Sequence, residues 1–262
     1  MDRISLGALF VALTALLPTL VFAAEAASYP ADPHSLSGIW MNDNTLDETL
    51  KKLGLKRLAP GVVLPPTNLA NPAGPEVLTP AYRAKYEQRR AAKARMAEGA
   101  ASCEWVGMPN IMTYPYPFEI LQTQGRLTMI FEVDSQVRRI FLDRKEHLPF
   151  DELDPSYNGD SIGHWEGNTL VIDTTGFHEH TELWNGMPHS DQLRIVERIS
   201  WLDADTIKVN FVLTDPKALS KPVERTVVYS KRPDWRIREY SCLENNRDTP
   251  DAEGRRAGGL AK

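Results

Sequence analysis

A tight turn in the middle of the chain brings a histidine and a carboxylate onto one face of a predicted hairpin. Gly167-Asn168 separates two runs of alternating polar and apolar residues, which is typical of a β-hairpin with a two-residue loop. In that register His164 and Asp173 are diagonal neighbours within reach of a hydrogen bond, whereas Trp165 lies on the opposite face as a candidate ligand contact. A carboxylate that orients an imidazole produces a general base. The alternative is a surface ion pair or a structural tie.

A second carboxylate, Glu197, lies within an apolar stripe of a predicted strand. Its neighbours on the same face are Leu193, Ile195, Ile199 and Trp201. Burial raises the pKa of a carboxyl group unless a cation or hydrogen-bond donors meet it. Arg139, set between Val137 and Phe141 in another strand, is the expected partner and a candidate ligand contact. The pair is either an architectural ion pair or part of a ligand site in which Glu197 is catalytic.

Two tyrosines precede the sheet in the segment YPYPFE. Prolines at positions 115 and 117 hold this segment extended. Tyr114 is a candidate ligand contact, and the phenol of Tyr116 is a candidate catalytic group. The alternative is that both rings plug one end of the sheet.

Three of the six histidines fall in one loop, between Gly176 and Gln192. His178, His180 and His189 are residue types that bind zinc or iron, and His189 is also a candidate ligand contact without a metal. The chain contains no serine nucleophile elbow, phosphate loop, dinucleotide fingerprint or Cys-x-x-Cys motif. We therefore expect no cofactor, and the leading interpretation assigns no metal.

The elements that must position these residues are mainly β. Strands are predicted near residues 127–133, 137–141, 161–166, 169–175, 193–201, 207–213, 223–229 and 237–242. Short connections without helices predict an antiparallel meander, and eight or nine such strands close into an up-and-down barrel. Gly38-Ile39-Trp40 resembles the G-x-W that opens the first strand of lipocalin-like barrels. A β-sandwich is the alternative fold.

Two helices are predicted outside the barrel. One covers residues 45–53, where three leucines share a face and Gly54 follows. The other begins at Thr79-Pro80, with Thr79 as N-cap and Pro80 in the first helical position, and ends before Gly99. The predicted division is a signal peptide over 1–23, an N-terminal extension with coil and helices over 24–116, the barrel over 117–248 and a flexible tail over 249–262.

The first residues predict export to the periplasm or the medium. An apolar run ends in small residues that suit signal-peptide cleavage after Ala23, or alternatively after Ala26. Cys103 and Cys242 are the only cysteines, and in an oxidising compartment they predict one disulfide. A net charge of −5 gives no reason to expect nucleic acid. After signal cleavage no membrane partner is expected, and the oligomeric state stays open.

Five long motifs carry a family resemblance. They are CEWVGMPNIM, YPFEILQT, SIGHWEGNTLVIDTTGF, PHSDQLRIVERI and YSCLENNRD, which lie between residues 103 and 248. They resemble a family of uncharacterised exported bacterial proteins with a G-x-W-E-G-[DN]-T-L-V-[VI]-D-T core. The resemblance implies one compact domain with a shared site, and it implies no particular reaction.

Three functions compete on these observations. The leading hypothesis is cofactor-independent acid–base chemistry, of lyase, isomerase or dehydratase type, on a small apolar or aromatic molecule inside the barrel. His164, Asp173, Glu197 and Tyr116 would supply the acid, the base and the orienting groups. The alternatives are a periplasmic binding protein without turnover and a metal-dependent enzyme that uses the histidine loop.

Overall fold

The computed structural model describes residues 30–42, 73–96, 105–149 and 151–242. The predicted signal peptide, the helix predicted over 45–53, Cys103 and the predicted tail lie outside the described residues. In the described ranges, no helix combines the length and the apolar character needed to cross a membrane.

Nine strands form one closed barrel in which each strand pairs with its neighbours in chain order. They are β1 (Gly38–Asn42), β2 (Phe118–Thr123), β3 (Arg126–Phe131), β4 (Val137–Phe141), β5 (Asp160–Glu166), β6 (Thr169–Thr175), β7 (Arg194–Asp203), β8 (Thr206–Thr214) and β9 (Val223–Lys231). β1 and β9 pair antiparallel and close the sheet. The predicted barrel is confirmed over the sandwich. The barrel domain is predicted to begin at residue 117. Such a domain would lack β1, which pairs with both β2 and β9 and closes the barrel.

The barrel departs from an antiparallel meander at one junction. β4 and β5 run parallel and share only two residue pairs, Ile140 with Ser161 and Phe141 with Ile162, whereas seven pairs join β5 to β6. Parallel neighbours need a long return connection, and residues 142–159 provide it. The prediction of an uninterrupted meander is wrong at this point.

The strand predicted over residues 237–242 is also wrong. Tyr240 forms a single isolated bridge with Val133, and the backbone of this segment bonds to side chains instead of to a neighbouring strand. Arg238 N–H donates to a carboxylate oxygen of Glu132 at 3.0 Å. The C-terminal segment is therefore tied to the turn between β3 and β4, and β1 supplies the ninth strand.

Alternation along the strands fills the barrel with apolar side chains. The strand residues of the core that are at most 2% exposed are Trp40, Phe118, Ile120, Leu127, Met129, Phe131, Ile140, Leu170, Ile172, Ile195, Ile199, Ile207, Val209, Phe211, Leu213, Val223, Val227 and Tyr229. Removing this apolar surface from water is the main stabilising contribution to the fold.

One end of the barrel is covered by the segment that precedes β1. The His34 ring stacks on Trp165 with centroids 4.4 Å apart. Trp201 Nε1–H donates to the Pro33 carbonyl, and Trp40 Nε1–H donates to the Leu36 carbonyl, both at 2.9 Å. Trp165, a candidate ligand contact, is thus engaged by the chain's own N-terminal segment.

The other end is closed by three short 3₁₀ helices and the loops around them. The helices are Pro75–Val77, Asn110–Thr113 and Trp184–Gly186. Tyr229, inside the barrel, donates its hydroxyl to the Met112 carbonyl at 2.5 Å. Trp184 packs edge-on against Phe211 with centroids 5.7 Å apart.

The described helix, α1 (Pro80–Met96), lies against this closed end. It begins at Pro80 as predicted, and the Thr79 carbonyl accepts the N–H of Arg83 at 2.8 Å. The Thr79 hydroxyl donates to the Lys217 carbonyl at 2.8 Å. That bond anchors the start of α1 to the connection between β8 and β9.

Candidate functional site

Glu197 lies on the inner face of β7, as predicted, and is completely buried. Its partner is Arg138 and not Arg139. One guanidinium nitrogen of Arg138 donates to Glu197 Oε1 at 3.0 Å and a second donates to Oε2. The Arg138 Nη2 group also donates to the Thr174 hydroxyl at 2.9 Å, and Nε donates to the Ser161 hydroxyl at 3.2 Å. The guanidinium group of Arg138 therefore has hydrogen-bond partners at its Nε and at both Nη atoms. This favours the interpretation of the pair as an architectural ion pair.

Arg139 is exposed on the outer face of β4, so the inward placement predicted for it is wrong. Val137 and Phe141 share that outer face, whereas Arg138 and Ile140 are buried. The predicted inner face of β4 is therefore off by one residue. The Phe141 ring tolerates this position because two cations cover it. The guanidinium carbons of Arg126 and Arg144 lie 4.7 and 4.0 Å from its centroid.

The hairpin register is as predicted, with His164 opposite Val171 and Asp173 opposite Ile162, but the predicted contact between His164 and Asp173 is wrong. The His164 side chain is 65% exposed and bonds to Glu166 at 3.2 Å. Asp173 instead receives Nε–H of Arg194, from the next strand, at 2.8 Å. A bidentate guanidinium binds a carboxylate more strongly than a neutral imidazole does.

His147, in the long connection after β4, is the histidine that meets Asp173. Its Nδ1 lies 2.9 Å from Asp160, and its Nε2 lies 3.7 Å from Asp173. The nearby Asp173 carboxylate raises the pKa of His147, burial opposes the shift, and the hydrogen-bonded Asp160 carboxylate adds to it. Burial works to raise the pKa of Asp173, but His147 and Arg194 hold it well below its usual range. An imidazolium between two carboxylates acts as a clamp and not as a base.

The tyrosines of the YPYPFE segment pack beside the C-terminal segment. The Tyr116 ring lies 5.1 Å from that of Tyr240 and 6.5 Å from that of Tyr114. A hydrogen bond with Tyr240 and partial burial raise the pKa of Tyr116. Tyr116 is half-buried against Tyr240, whereas Tyr114 is 39% exposed, so the packing holds one ring and leaves the other at the surface.

The loop histidines do not converge on a common point. His189 is 7% exposed, and its Nδ1 and Nε2 lie 2.7 and 3.2 Å from the backbone oxygens of Ser190 and His178. Burial lowers the pKa of His189. No group of three or more histidine, cysteine or acidic side chains in the part of the chain that the structure describes could hold a metal ion. The predicted donor set of His178, His180 and His189 is therefore not assembled.

The loop is fixed by a buried carboxylate. Asp215, only 2% exposed, accepts both the backbone N–H and the hydroxyl of Ser190 at 2.6 Å. It also accepts the N–H groups of Lys217 and Ala218 at 3.1 and 3.0 Å. Ser190 thus fastens the histidine loop to Asp215, the residue that follows β8.

A groove of about 550 Å³ opens between α1 and this loop. We call it the helix groove. Its lining is Tyr82, Lys85, Arg89, Pro155, Phe177, His178, Glu179, Pro188, His189, Ser190 and Asp191. The size falls within the range of small-molecule sites, and its position is the barrel end and not the barrel interior that the sequence predicts.

His178 lines the helix groove, and its Nε2 atom has no hydrogen-bond partner among the described residues. The backbone N–H of His180 points at His178 Nδ1 at 3.3 Å, so the neutral ring carries its proton on Nε2. The ring stacks on Tyr157 with centroids 5.0 Å apart and an interplanar angle of 19°. The basic nitrogen is then Nδ1, which can take up a proton only when the 3.3 Å contact from His180 N–H opens, while the stack on Tyr157 holds the ring in place.

Cations line the helical side of the groove. Lys85 and Arg89 are one turn apart, and in the described ranges neither is within ion-pair distance of a carboxylate. The Lys85 ammonium lies over the Tyr82 ring, 4.3 Å from its centroid, and Arg89 approaches the Glu179 carbonyl at 3.4 Å. Lys217 neutralises Asp191 at 2.7 Å. The groove combines aromatic surface with the cations of Lys85 and Arg89 and one exposed carboxylate, Glu179, which lies 3.6 Å from His180 Nε2.

Comparison with known proteins assigns no family to the chain. No protein-family model matches the chain, and no curated protein is significantly similar to it. Membership of the exported family that the motifs resemble stays a prediction.

Proposed function

We propose that the helix groove binds a small aromatic molecule bearing a carboxylate and that His178 exchanges a proton with it. The observation that carries the proposal is a histidine of fixed tautomer facing a groove flanked by Lys85 and Arg89, which have no carboxylate partner in the described ranges. Such cations stabilise negative charge that develops next to a carboxylate when a proton leaves. Tyr82 and Phe177 offer apolar surface to a ring. The chemistry is that of a lyase or isomerase without a cofactor.

Export belongs to the same proposal. The leader over residues 1–23 would place the groove in the periplasm or the medium, where it meets small molecules from outside the cell. A binding protein without turnover remains the second candidate, because the same groove binds a ligand whether or not His178 transfers a proton. The metal-dependent alternative loses support, since both ring nitrogens of His189 face backbone oxygens.

Binding is tested by calorimetric titration with phenylpyruvate, phenylacetate and benzylamine. We expect the two aryl carboxylates to bind and the amine not to bind, because Lys85 and Arg89 attract anions. Arg89→Ala should weaken binding about tenfold or more, the usual effect of losing a charge-assisted hydrogen bond. Arg90→Ala, an exposed arginine on the same helix, is the matched control and should bind normally. Failure of every aryl carboxylate to bind would reject the proposal.

Proton transfer is tested on phenylpyruvate in D₂O by following loss of its benzylic proton signal. We expect the wild-type protein to accelerate exchange and His178→Ala to reduce that acceleration by about 10²–10⁴, the usual contribution of a positioned acid or base. Affinity for the probe should change much less than the exchange rate. Tight binding without faster exchange in the wild-type protein would identify a binding protein.

A further inference from the structure

A second pocket opens in the wall of the barrel, where β4 and β5 share only two residue pairs. We call it the wall pocket. It measures about 310 Å³ and is lined by Trp105, Val137, Arg138, Arg139, Phe141, Ser156, Tyr157, Asn158, Gly159 and Asp160. This volume is at the lower end of ligand sites and suits a single ring.

The rim of the wall pocket is aromatic and open. Trp105 is 53% exposed, and its ring centroid lies 6.0 Å from that of Tyr157. The two loops that carry these rings are joined, because Met108 N–H donates to the Tyr157 carbonyl at 2.9 Å. Gly107 has a φ of +62°, and any side chain there would collide with the Tyr157 carbonyl oxygen. The backbone thus holds both rings at the rim.

The inner part of the pocket contains an acceptor without a donor. Asn158 is 7% exposed, and its Nδ2 group donates to the Val137 carbonyl at 3.3 Å. Its Oδ1 atom is buried and has no hydrogen-bond partner among the residues that the structure describes. Leaving a buried acceptor unpaired is costly, so a small opening of the pocket that lets a ligand hydroxyl reach this atom is favoured.

Opposite charges flank that acceptor. Arg139 brings donors to the pocket, and Asp160 brings a carboxylate that receives Arg144 at 2.5 Å and His147 at 2.9 Å. A carboxylate has about four acceptor positions, so Asp160 can accept further donors. The pocket therefore offers donors and acceptors side by side around an aromatic surface.

We propose that the wall pocket binds a neutral sugar ring. A pyranose has slightly positive C–H groups on its face, which suit the negative face of an indole such as Trp105. Its hydroxyl groups both donate and accept, which matches the unpaired Asn158 Oδ1, the Asp160 carboxylate and the Arg139 guanidinium. A phenol has one hydroxyl and would leave most of these polar groups unpaired. A ligand with a carboxylate would be repelled by the Asp160 carboxylate.

The wall pocket and the helix groove share no lining residue, although Tyr157 of the first stacks on His178 of the second. The two proposals are therefore tested with different ligands and different variants. Binding of sugars and binding of aryl carboxylates can each fail alone.

The test is a titration of the ¹⁵N-labelled protein with methyl glycosides of glucose, galactose, mannose, xylose and N-acetylglucosamine. We expect at least one glycoside to shift the Trp105 indole resonance and leave that of Trp235 unchanged. Trp105→Ala should weaken binding at least about tenfold, since an exposed ring contributes stacking and little to folding. Trp235→Ala removes another partly exposed tryptophan, 37% exposed, and is the matched control.

Asn158→Leu tests the unpaired acceptor separately. We expect weaker glycoside binding in this variant, with the Trp105 resonance unchanged in the free protein. The proposal is overturned if no glycoside binds at tens of millimolar, if binding survives Trp105→Ala, or if 4-hydroxybenzyl alcohol binds and the glycosides do not.

Discussion

At the scale of single residues, the buried ion pair between Arg138 and Glu197 is the polar centre of the barrel. The two side chains hydrogen-bond to each other, and the Arg138 guanidinium also donates to the hydroxyls of Ser161 and Thr174. Such a pair costs desolvation when it forms, but removing one partner leaves a buried charge alone.

Glu197→Gln should therefore destabilise the protein by about 3–5 kcal/mol, the usual cost of breaking a buried pair. Urea denaturation followed by circular dichroism measures this loss. Glu166→Gln, which removes the exposed partner of Arg198, is the control and should change stability little. A Glu197→Gln variant as stable as the wild type, with proton exchange lost, would instead restore the catalytic interpretation of Glu197.

At the scale of elements, the connection over residues 142–159 is held to the outer face of β5 and β6 by His147. The raised pKa of this histidine comes first from Asp173, against the effect of burial, and then from Asp160. Because the folded state binds the proton more tightly, the stabilisation is complete below the unfolded pKa near 6.5. It is lost as pH rises through the higher folded pKa.

His147→Gln should consequently destabilise more at about pH 5.5 than at about pH 8.5. His189 gives the opposite trend, since burial lowers its pKa and its stabilising effect is lost as pH falls below about 6.5. Denaturant unfolding of the wild type, His147→Gln and His189→Gln at the two pH values measures both slopes. Equal slopes in the two variants would contradict the assignment.

The sequence predicts elements better than it predicts partners. Strand alternation and the Gly167-Asn168 turn depend on local chemistry, so the hairpin register and the burial of Glu197 are confirmed. The arginine that pairs with Glu197 is the one on the inner face of β4. The sequence does not identify that face, because each face of β4 carries one arginine and at least one apolar residue. The contact of His147 with Asp173 joins residues far apart in sequence, and no local pattern indicates it.

The candidate site shows the same limit. His178 and His189 are singled out by their types, but the sequence suggests a shared metal. Lys85 and Arg89 lie one helical turn apart in the basic stretch of α1, and in a sequence such a stretch is typical of a solvated helix face. Only the packing of α1 against the loop turns that face into a groove wall.

At the scale of the whole molecule, the C-terminal segment is fastened to the turn between β3 and β4. Cys242 N–H donates to an Asp134 carboxylate oxygen at 2.8 Å, and the thiol of Cys242 is not free. Because Cys103 lies outside the described residues, its disulfide with Cys242 stays a prediction.

Mass spectrometry of the non-reduced mature protein should yield a peptide that joins Cys103 to Cys242. Replacing either cysteine with serine should lower stability by about 2–5 kcal/mol, and a reducing agent should lower the wild type to the same level. Alkylation of both thiols in protein isolated without a reductant would refute the bond.

The position of β1 has a consequence for how the chain acquires its structure. β1 ends at Asn42, whereas its two neighbours begin at Phe118 and Val223. As the chain is synthesised, β1 is the first strand to appear, and its second neighbour, β9, is the last. Contacts of such long sequence separation slow folding. The barrel therefore cannot close until the whole sheet has been made, and until then β1 has a free edge on one side.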